Sequence, residues 1–196
     1  MLEPGTAPEL KEGLYIGQEI PVDHPYYLER KLNSGPNQWP ETVEDPEEFR
    51  KTTMEYYCAA FELAKDVLKV LALSLDLEES YFDEFADGGV ATMRLLHYPP
   101  QPKDCDEKLN RGIGAHTDFG SVTLLLQDEV DGLQVLDHPT NQWLDVSCSS
   151  QFSFASLGGH AKYERRWNQS KGLTSSIWET FSRDGPTTNI SRTFTV

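Results

Sequence analysis

Residues 112–118, Gly112-Ile113-Gly114-Ala115-His116-Thr117-Asp118, hold the side chains best suited to chemistry. In an extended backbone, residues two apart project to the same face. The His116 imidazole and the Asp118 carboxylate can therefore reach one point from a single strand end. One imidazole and one carboxylate suit Fe(II) or Mn(II), and a second histidine would complete a 2-His-1-carboxylate triad with open coordination positions. Gly112 and Gly114 fit a backbone that something approaches closely. The pattern is short, and the plainer alternative is a strand-end His and Asp bonded to each other or to a turn.

Such a pair needs strands to carry it. Val90–His97, Val122–Gln127, Leu133–Leu136 and Trp143–Val146 are short and rich in Val and Leu, with Gly, Pro, Asn and Asp between them. His138-Pro139-Thr140-Asn141 reads as the turn of a hairpin joining the last two. Ahead of the strands lies a long amphipathic helix. Asp45 can cap it, Pro46 suits its first position, and Glu47 and Glu48 favour the positive end of the dipole. Phe49, Met54, Tyr57, Phe61, Ala64, Leu68, Leu71 and Leu75 recur at helical spacing and are expected to bury one face. A second short helix over Glu78–Phe85 is expected to add Tyr81, Phe82 and Phe85 to the same core, with Gly88-Gly89 stopping it. Residues 1–44, rich in Gly and Pro, read as an extended covering segment whose Trp and Tyr residues favour packing. Helices followed by short antiparallel strands predict an α+β chain ending in a sandwich or barrel.

The 196 residues suffice for one domain with a real core. A net charge of −15 argues against nucleic acid or anionic membrane as partners. No run approaches the roughly 20 apolar residues of a membrane span, and the first residues do not form a signal peptide. Three scattered cysteines, Cys58, Cys105 and Cys148, give neither a disulfide framework nor a CxxC zinc site, so a reduced, cytoplasmic setting is expected. The charge is uneven. Residues 1–146 hold 11 basic against 29 acidic residues, whereas 147–196 hold six against three, with 16 Ser and Thr. A break this abrupt marks a boundary, a disordered tail or a change in the origin of the sequence.

Four stretches in order resemble the isopenicillin N synthase-like branch of the 2-oxoglutarate/iron oxygenases, especially its fungal members. They are Arg94-Leu95-Leu96-His97-Tyr98-Pro99-Pro100, the His116-Thr117-Asp118 stretch, Ser121–Asp128 with Gly132-Leu133-Gln134-Val135, and Trp143-Leu144-Asp145-Val146. Gly35-Pro36-Asn37-Gln38-Trp39-Pro40 and the long helix resemble the region before the barrel. The resemblance implies an α+β fold with N-terminal helices packed on an incomplete double-stranded β-helix, or jelly roll. It implies Fe(II) held by His116 and Asp118, with Tyr98 helping to hold 2-oxoglutarate. The implied reaction consumes O2, converts 2-oxoglutarate to succinate and CO2, and hydroxylates or desaturates a small organic molecule. An Asn often stands two residues before that tyrosine, where this chain has Leu96.

The pattern then breaks. A third ligand, His, is expected near positions 171–174, which read Lys171, Gly172, Leu173 and Thr174. His160 falls well short of that place. Arg183 lies near the position of the Arg-x-Ser that would clamp the far carboxylate of 2-oxoglutarate in a bidentate pair, but Gly185 replaces the Ser, and Arg192 also lacks the motif. The alternative function is therefore an inactive or non-catalytic relative without the third ligand and the clamp. The expected organisation is 1–89 as covering segment and helices, 90–146 as the first part of the oxygenase core, and 147–196 as a divergent or frame-altered tail, folded or disordered. Gly158-Gly159-His160-Ala161-Lys162 stands where the family usually continues Gly-Asp-Met-Leu, and a one-base frame change relates the two. Transcript reads across codons 140–165 decide between a frame or splice change and a genuine divergent tail; a single supported frame giving this tail would end the idea of a frame change. The family also has helix and strand before the position of residue 1, so both ends are expected to be incomplete. Substrate and oligomeric state are left open.

Asp118-Phe119-Gly120 lacks the catalytic loop of a kinase, and Gly112 and Gly114 lack the third glycine of a dinucleotide loop. His24, His97 and His138 read as surface or packing histidines.

Overall fold

The computed structural model describes residue 9, residues 11–87, 90–99, 112–118, 120–128, 130 and 132–146, and the backbone of strands at 153–157, 163–165 and 189–195. Its elements are β1 (Glu12–Ile16), α1 (Pro25–Leu28), α2 (Pro46–Ser74), α3 (Asp83–Asp87), β2 (Thr92–Tyr98), β3 (Ile113–His116), β4 (Val122–Gln127), β5 (Leu133–Asp137), β6 (Gln142–Asp145), β7 (Ser153–Leu157), β8 (Tyr163–Arg165) and β9 (Asn189–Thr195). They fall into two compact units. One holds Tyr15–Arg94 and the helices, and the other holds Leu95–Thr193 with the stretch up to Leu14.

In the helical unit, α2 starts as its sequence demands. The Asp45 side chain accepts from the Glu48 N–H at 3.1 Å, Pro46 opens the helix, and Glu47 and Glu48 occupy its first turn. The helix ends in a Schellman motif: Asp76 takes φ 57°, its N–H reaches Leu73 O, and Leu77 N–H reaches Ala72 O. The buried face is Phe49, Thr53, Tyr57, Ala60, Ala64, Leu68 and Ala72. This corrects the expected stripe at four places. Met54, Phe61 and Leu71 are only half-buried, and Leu75 is 61% exposed because it caps the helix and leaves its face. Size misled the reading: small alanines mark where the backbone packs closely, and they carry a weaker hydrophobic signal than Leu or Met. Tyr57 ties this face to the segment before β2 by donating its hydroxyl to Ala91 O at 3.2 Å. The second helix is also corrected. It runs only Asp83–Asp87 and buries Ala86, while Tyr81 and Phe85 are 61% and 55% exposed.

The segment before α2 is closed on itself. Asn37 imitates a strand neighbour for Gly17, accepting from its N–H at 2.8 Å and donating to its carbonyl at 2.9 Å. Glu19 accepts from Asn37 N–H at 3.0 Å, from Trp39 Nε1 at 2.8 Å and from Arg50 at 3.0 Å. Trp39 then meets Phe49 edge-on, with centroids 6.1 Å apart.

The strands form two sheets, of order β1-β2-β9-β4-β7 and β3-β8-β5-β6. Successive strands alternate between the sheets from β3 to β5 and again from β6 to β9. Such alternation is the wiring of a jelly roll, so the expected α+β class and barrel type are both present. The β5–β6 hairpin turns at 138–141 as expected, with Asp137 opposite Gln142 and Asn141 at φ 54°. β1, β7, β8 and β9 were not anticipated, whereas β3 is the strand end expected to carry His116. Val122 of β4 is fully buried. Among the described residues, no helix is long and apolar enough to cross a membrane.

Candidate metal centre

β3 lies at the edge of the four-stranded sheet and carries a bulge. Ile113 pairs with Arg165 and His116 with Tyr163, so Gly114 and Ala115 together oppose one residue of β8. Bulges bend a strand and re-aim its side chains, and they gather beside functional sites. Here the irregularity directly precedes His116, the last residue of β3.

The structure brings His116 and Asp118 together, with Nε2 of the imidazole 3.3 Å from Oδ1 of the carboxylate. Nδ1 of the imidazole lies 2.8 Å from Gly114 O. A carbonyl can only accept, so Nδ1 carries the proton of that bond and the lone pair of the neutral ring sits on Nε2, facing the carboxylate. Both side chains are mostly buried, at 19% and 16% exposure. Burial draws the imidazole down, but the Asp118 carboxylate and the Gly114 carbonyl outweigh it and hold the ring above its ordinary value. A nitrogen lone pair and an anionic oxygen converging at this separation fit a divalent cation between them. The backbone partner on Nδ1 is the kind of outer contact that orients a ligating histidine.

Tyr98 is buried in β2 at 4% exposure. Its ring explains Gly112: a Cβ there would lie 2.8 Å from Tyr98 Cδ1 and 3.2 Å from Cε1. A buried ring has little room to yield. Gly112→Ala is therefore expected to cost about 1–3 kcal/mol in urea denaturation; an unchanged midpoint would show that the ring moves freely.

The other sequence candidates lie elsewhere. His24 caps α1 and accepts from Tyr26 N–H at 3.1 Å, and His138 sits in an exposed turn. His97 is buried with Nδ1 2.9 Å from Glu12 Oε2, a packing histidine inside the protein and not at its surface. Leu96 is buried. His160, positions 171–174 and Arg183 lie outside the described residues, and Arg192 is in β9, of which only the backbone is described. Among the described residues, no group of three or more His, Cys, Asp and Glu side chains is placed to hold a metal. One contact to the site was missed by sequence reasoning: Glu9 reaches the Gly114 N–H at 3.3 Å.

Residues 89–161, which include Tyr98, His116 and Asp118, match the 2OG-Fe(II) oxygenase superfamily. The chain is 77% identical over 146 residues to a 2-oxoglutarate-Fe(II) type oxidoreductase of Emericella nidulans, hxnY, covering 74% of this chain and 42% of that protein. It is 41% identical over 159 residues to the 2-oxoglutarate-dependent dioxygenase citB of Monascus ruber, covering 80% of this chain and 48% of that one. Among solved structures it is similar to a full-length Neurospora crassa protein in complex with alpha-KG, with a TM-score of 0.76 and 25% identity over 97% of this chain and 55% of that one. The same Neurospora protein in complex with alpha-KG and thymine gives a TM-score of 0.76 at 26% identity, covering 97% of this chain and 54% of that one. The chain thus spans less than half the length of these curated relatives.

Proposed function

We propose, because this chain belongs to the 2OG-Fe(II) oxygenase superfamily, that its protein oxidises a small organic molecule at the expense of O2 and 2-oxoglutarate. Fe(II) and 2-oxoglutarate are the metal and co-substrate of that family. In the overall balance, one O2 and one 2-oxoglutarate yield succinate, CO2 and a hydroxylated product, or a desaturated product and water. Bound iron would supply the site for O2 and for the keto acid. The remaining work belongs to the chain's own residues.

His116 Nε2 and the Asp118 carboxylate are proposed to hold the metal, and the observation that carries this reading is their 3.3 Å approach beside an Nδ1 engaged by Gly114 O. The carboxylate offsets one of the two positive charges. The Nδ1 bond keeps the ring from turning and holds its lone pair on Nε2. Burial excludes water from both donors and strengthens their field. Tyr98 is proposed to contact 2-oxoglutarate. The net charge of −15 supports a small-molecule substrate over nucleic acid or membrane, and a cytoplasmic setting is part of the proposal. The Neurospora crassa protein, solved with thymine, shows that a similar fold can serve a compact organic ligand.

A second reading is favoured by one sequence fact: no histidine stands at 171–174 and Arg183 is not followed by the Arg-x-Ser serine. On that reading the chain binds metal and turns nothing over. Succinate release from 2-oxoglutarate separates the two. The first reading expects release that needs added Fe(II) and is lost in His116→Ala. Metal binding without succinate supports the second, and Fe(II)-dependent succinate release that survives in His116→Ala removes the ligand assignment.

A further inference from the structure

We propose that Glu9 is a positioning residue for the metal site: its carboxylate holds the Gly114 backbone and, through it, the orientation of the His116 imidazole. The inference rests on the reading of His116 as a ligand and extends it to a residue 107 positions earlier in the chain.

Gly114 is the weak link in the site. It carries the carbonyl that accepts from His116 Nδ1 at 2.8 Å, so the aim of the ring depends on the backbone angles of this one residue. Glycine restrains those angles less than any other residue, having no Cβ. Strand pairing does not restrain them in the regular way either, because Gly114 and Ala115 form the bulge against β8. Among the described residues, β3 is also an edge strand, paired with β8. A residue this free would let the imidazole swing.

Glu9 supplies the restraint. Its Oε1 accepts from the Gly114 N–H at 3.3 Å, while its Oε2 pairs with Lys11 Nζ at 2.8 Å. Its side chain is only 14% exposed and that of Lys11 23%, so neither bond is dissolved in bulk water. Gly114 is thus held at both ends, its N–H by Glu9 and its carbonyl by His116. Burial pushes the Glu9 carboxyl up, but the bonds from Lys11 and Gly114 outweigh this and hold it below the usual range. The acceptor is therefore the anion. The result is a chain of contacts from Lys11 through Glu9 and Gly114 to His116 and Asp118, all within the strand unit.

The test is an Mn(II) titration by calorimetry on the parent chain, Glu9→Ala, Glu9→Asp, Glu9→Gln and His116→Ala, each first shown to be folded by circular dichroism. Loss of an outer partner of a ligating histidine weakens metal binding by about 10- to 100-fold, and that loss is expected of Glu9→Ala. Glu9→Asp keeps the charge beside Lys11 but is one methylene short of Gly114, so the same loss is expected of it. This variant carries the test should Glu9→Ala not fold. Glu9→Gln retains an acceptor and gives up only the charge assistance, so less than about tenfold is expected. Exchange of the Gly114 amide proton, followed by NMR without metal, should quicken in Glu9→Ala and Glu9→Asp but not in Glu9→Gln. Parent-like Mn(II) affinity in Glu9→Ala or Glu9→Asp would overturn the proposal, as would equal losses in Glu9→Gln and Glu9→Ala. Should His116→Ala also bind as the parent does, the ligand reading itself falls and the role of Glu9 falls with it.

Discussion

His116→Ala is expected to weaken Mn(II) or Fe(II) binding by more than about 100-fold. Removing an outer partner alone costs about 10- to 100-fold, and removing the ligand itself must cost more. The substitution deletes Nε2, which faces Asp118 Oδ1 at 3.3 Å, and leaves a single carboxylate at that point. Lone carboxylates hold such ions weakly in water, because hydration competes well with one oxygen donor. Asp118→Asn is expected to weaken binding by at least tenfold, since it keeps the shape but removes the anionic charge that favours a cation at this largely buried site. The same loss appears in stability. Saturating metal should raise the melting temperature of the parent, because an ion that binds only the folded state stabilises it, and should leave His116→Ala unmoved. An equal rise in both would place the ion elsewhere.

Glu19→Ala should destabilise the helical unit by about 2–3 kcal/mol. The carboxylate accepts from Asn37 N–H, Trp39 Nε1 and Arg50, and these bonds close the segment ahead of α2. Hydrogen bonds to charged groups contribute about 1.5–3 kcal/mol each, and donors left orphaned add a desolvation cost. The Arg50 contact contributes little, since that side chain is 56% exposed and water screens the pair. Trp39 and Asn37 therefore carry most of the effect. Its pH dependence has a definite sign. Burial raises the Glu19 carboxyl, but the Asn37 and Trp39 bonds and the Arg50 charge outweigh it and leave it below its ordinary value. A depressed carboxyl contributes stability that is fully present above its unfolded value and lost as the pH falls through its folded one. Urea midpoints of parent and Glu19→Ala should accordingly differ at pH 7 and converge in acid. A gap that persists undiminished at low pH would mean that the charge plays no part.

The sequence made some of this readable and hid the rest for physical reasons. The start of α2 was visible because Asp45 and Pro46 are local signals acting over one turn. The β5–β6 hairpin was visible because alternating apolar residues flank a turn rich in Pro and Asn. The buried face of α2 was legible at Phe49, Tyr57, Ala64 and Leu68, but Ala60 and Ala72 carry less apolar signal than Met54, Leu71 and Leu75, which were expected in it. β3 was foreseen only as a strand end carrying His116, and its extent was not, since it has four residues, includes a glycine and is interrupted by a bulge. β7, β8 and β9 fall in the stretch where composition changes, and their pairing depends on strands far away in sequence.

The site divides in the same way. His116 and Asp118 were singled out because residues two apart in an extended backbone share a face and because the family resemblance matches both, and the structure does bring the two side chains together. Tyr98 came from the resemblance; its contact with Gly112 came only from the fold. Glu9 could not be found, because it acts on a backbone N–H 105 residues away, and a bond to the main chain leaves no mark on the partner's residue type.

Anomalous diffraction from crystals of this chain soaked in Mn(II) reaches the core of the matter most directly. The expected result is a single strong peak between the two side chains, roughly 2.0–2.3 Å from His116 Nε2 and from an Asp118 carboxylate oxygen, as divalent metal bonds require. A peak elsewhere, or an imidazole and carboxylate turned away from one another, would contradict it.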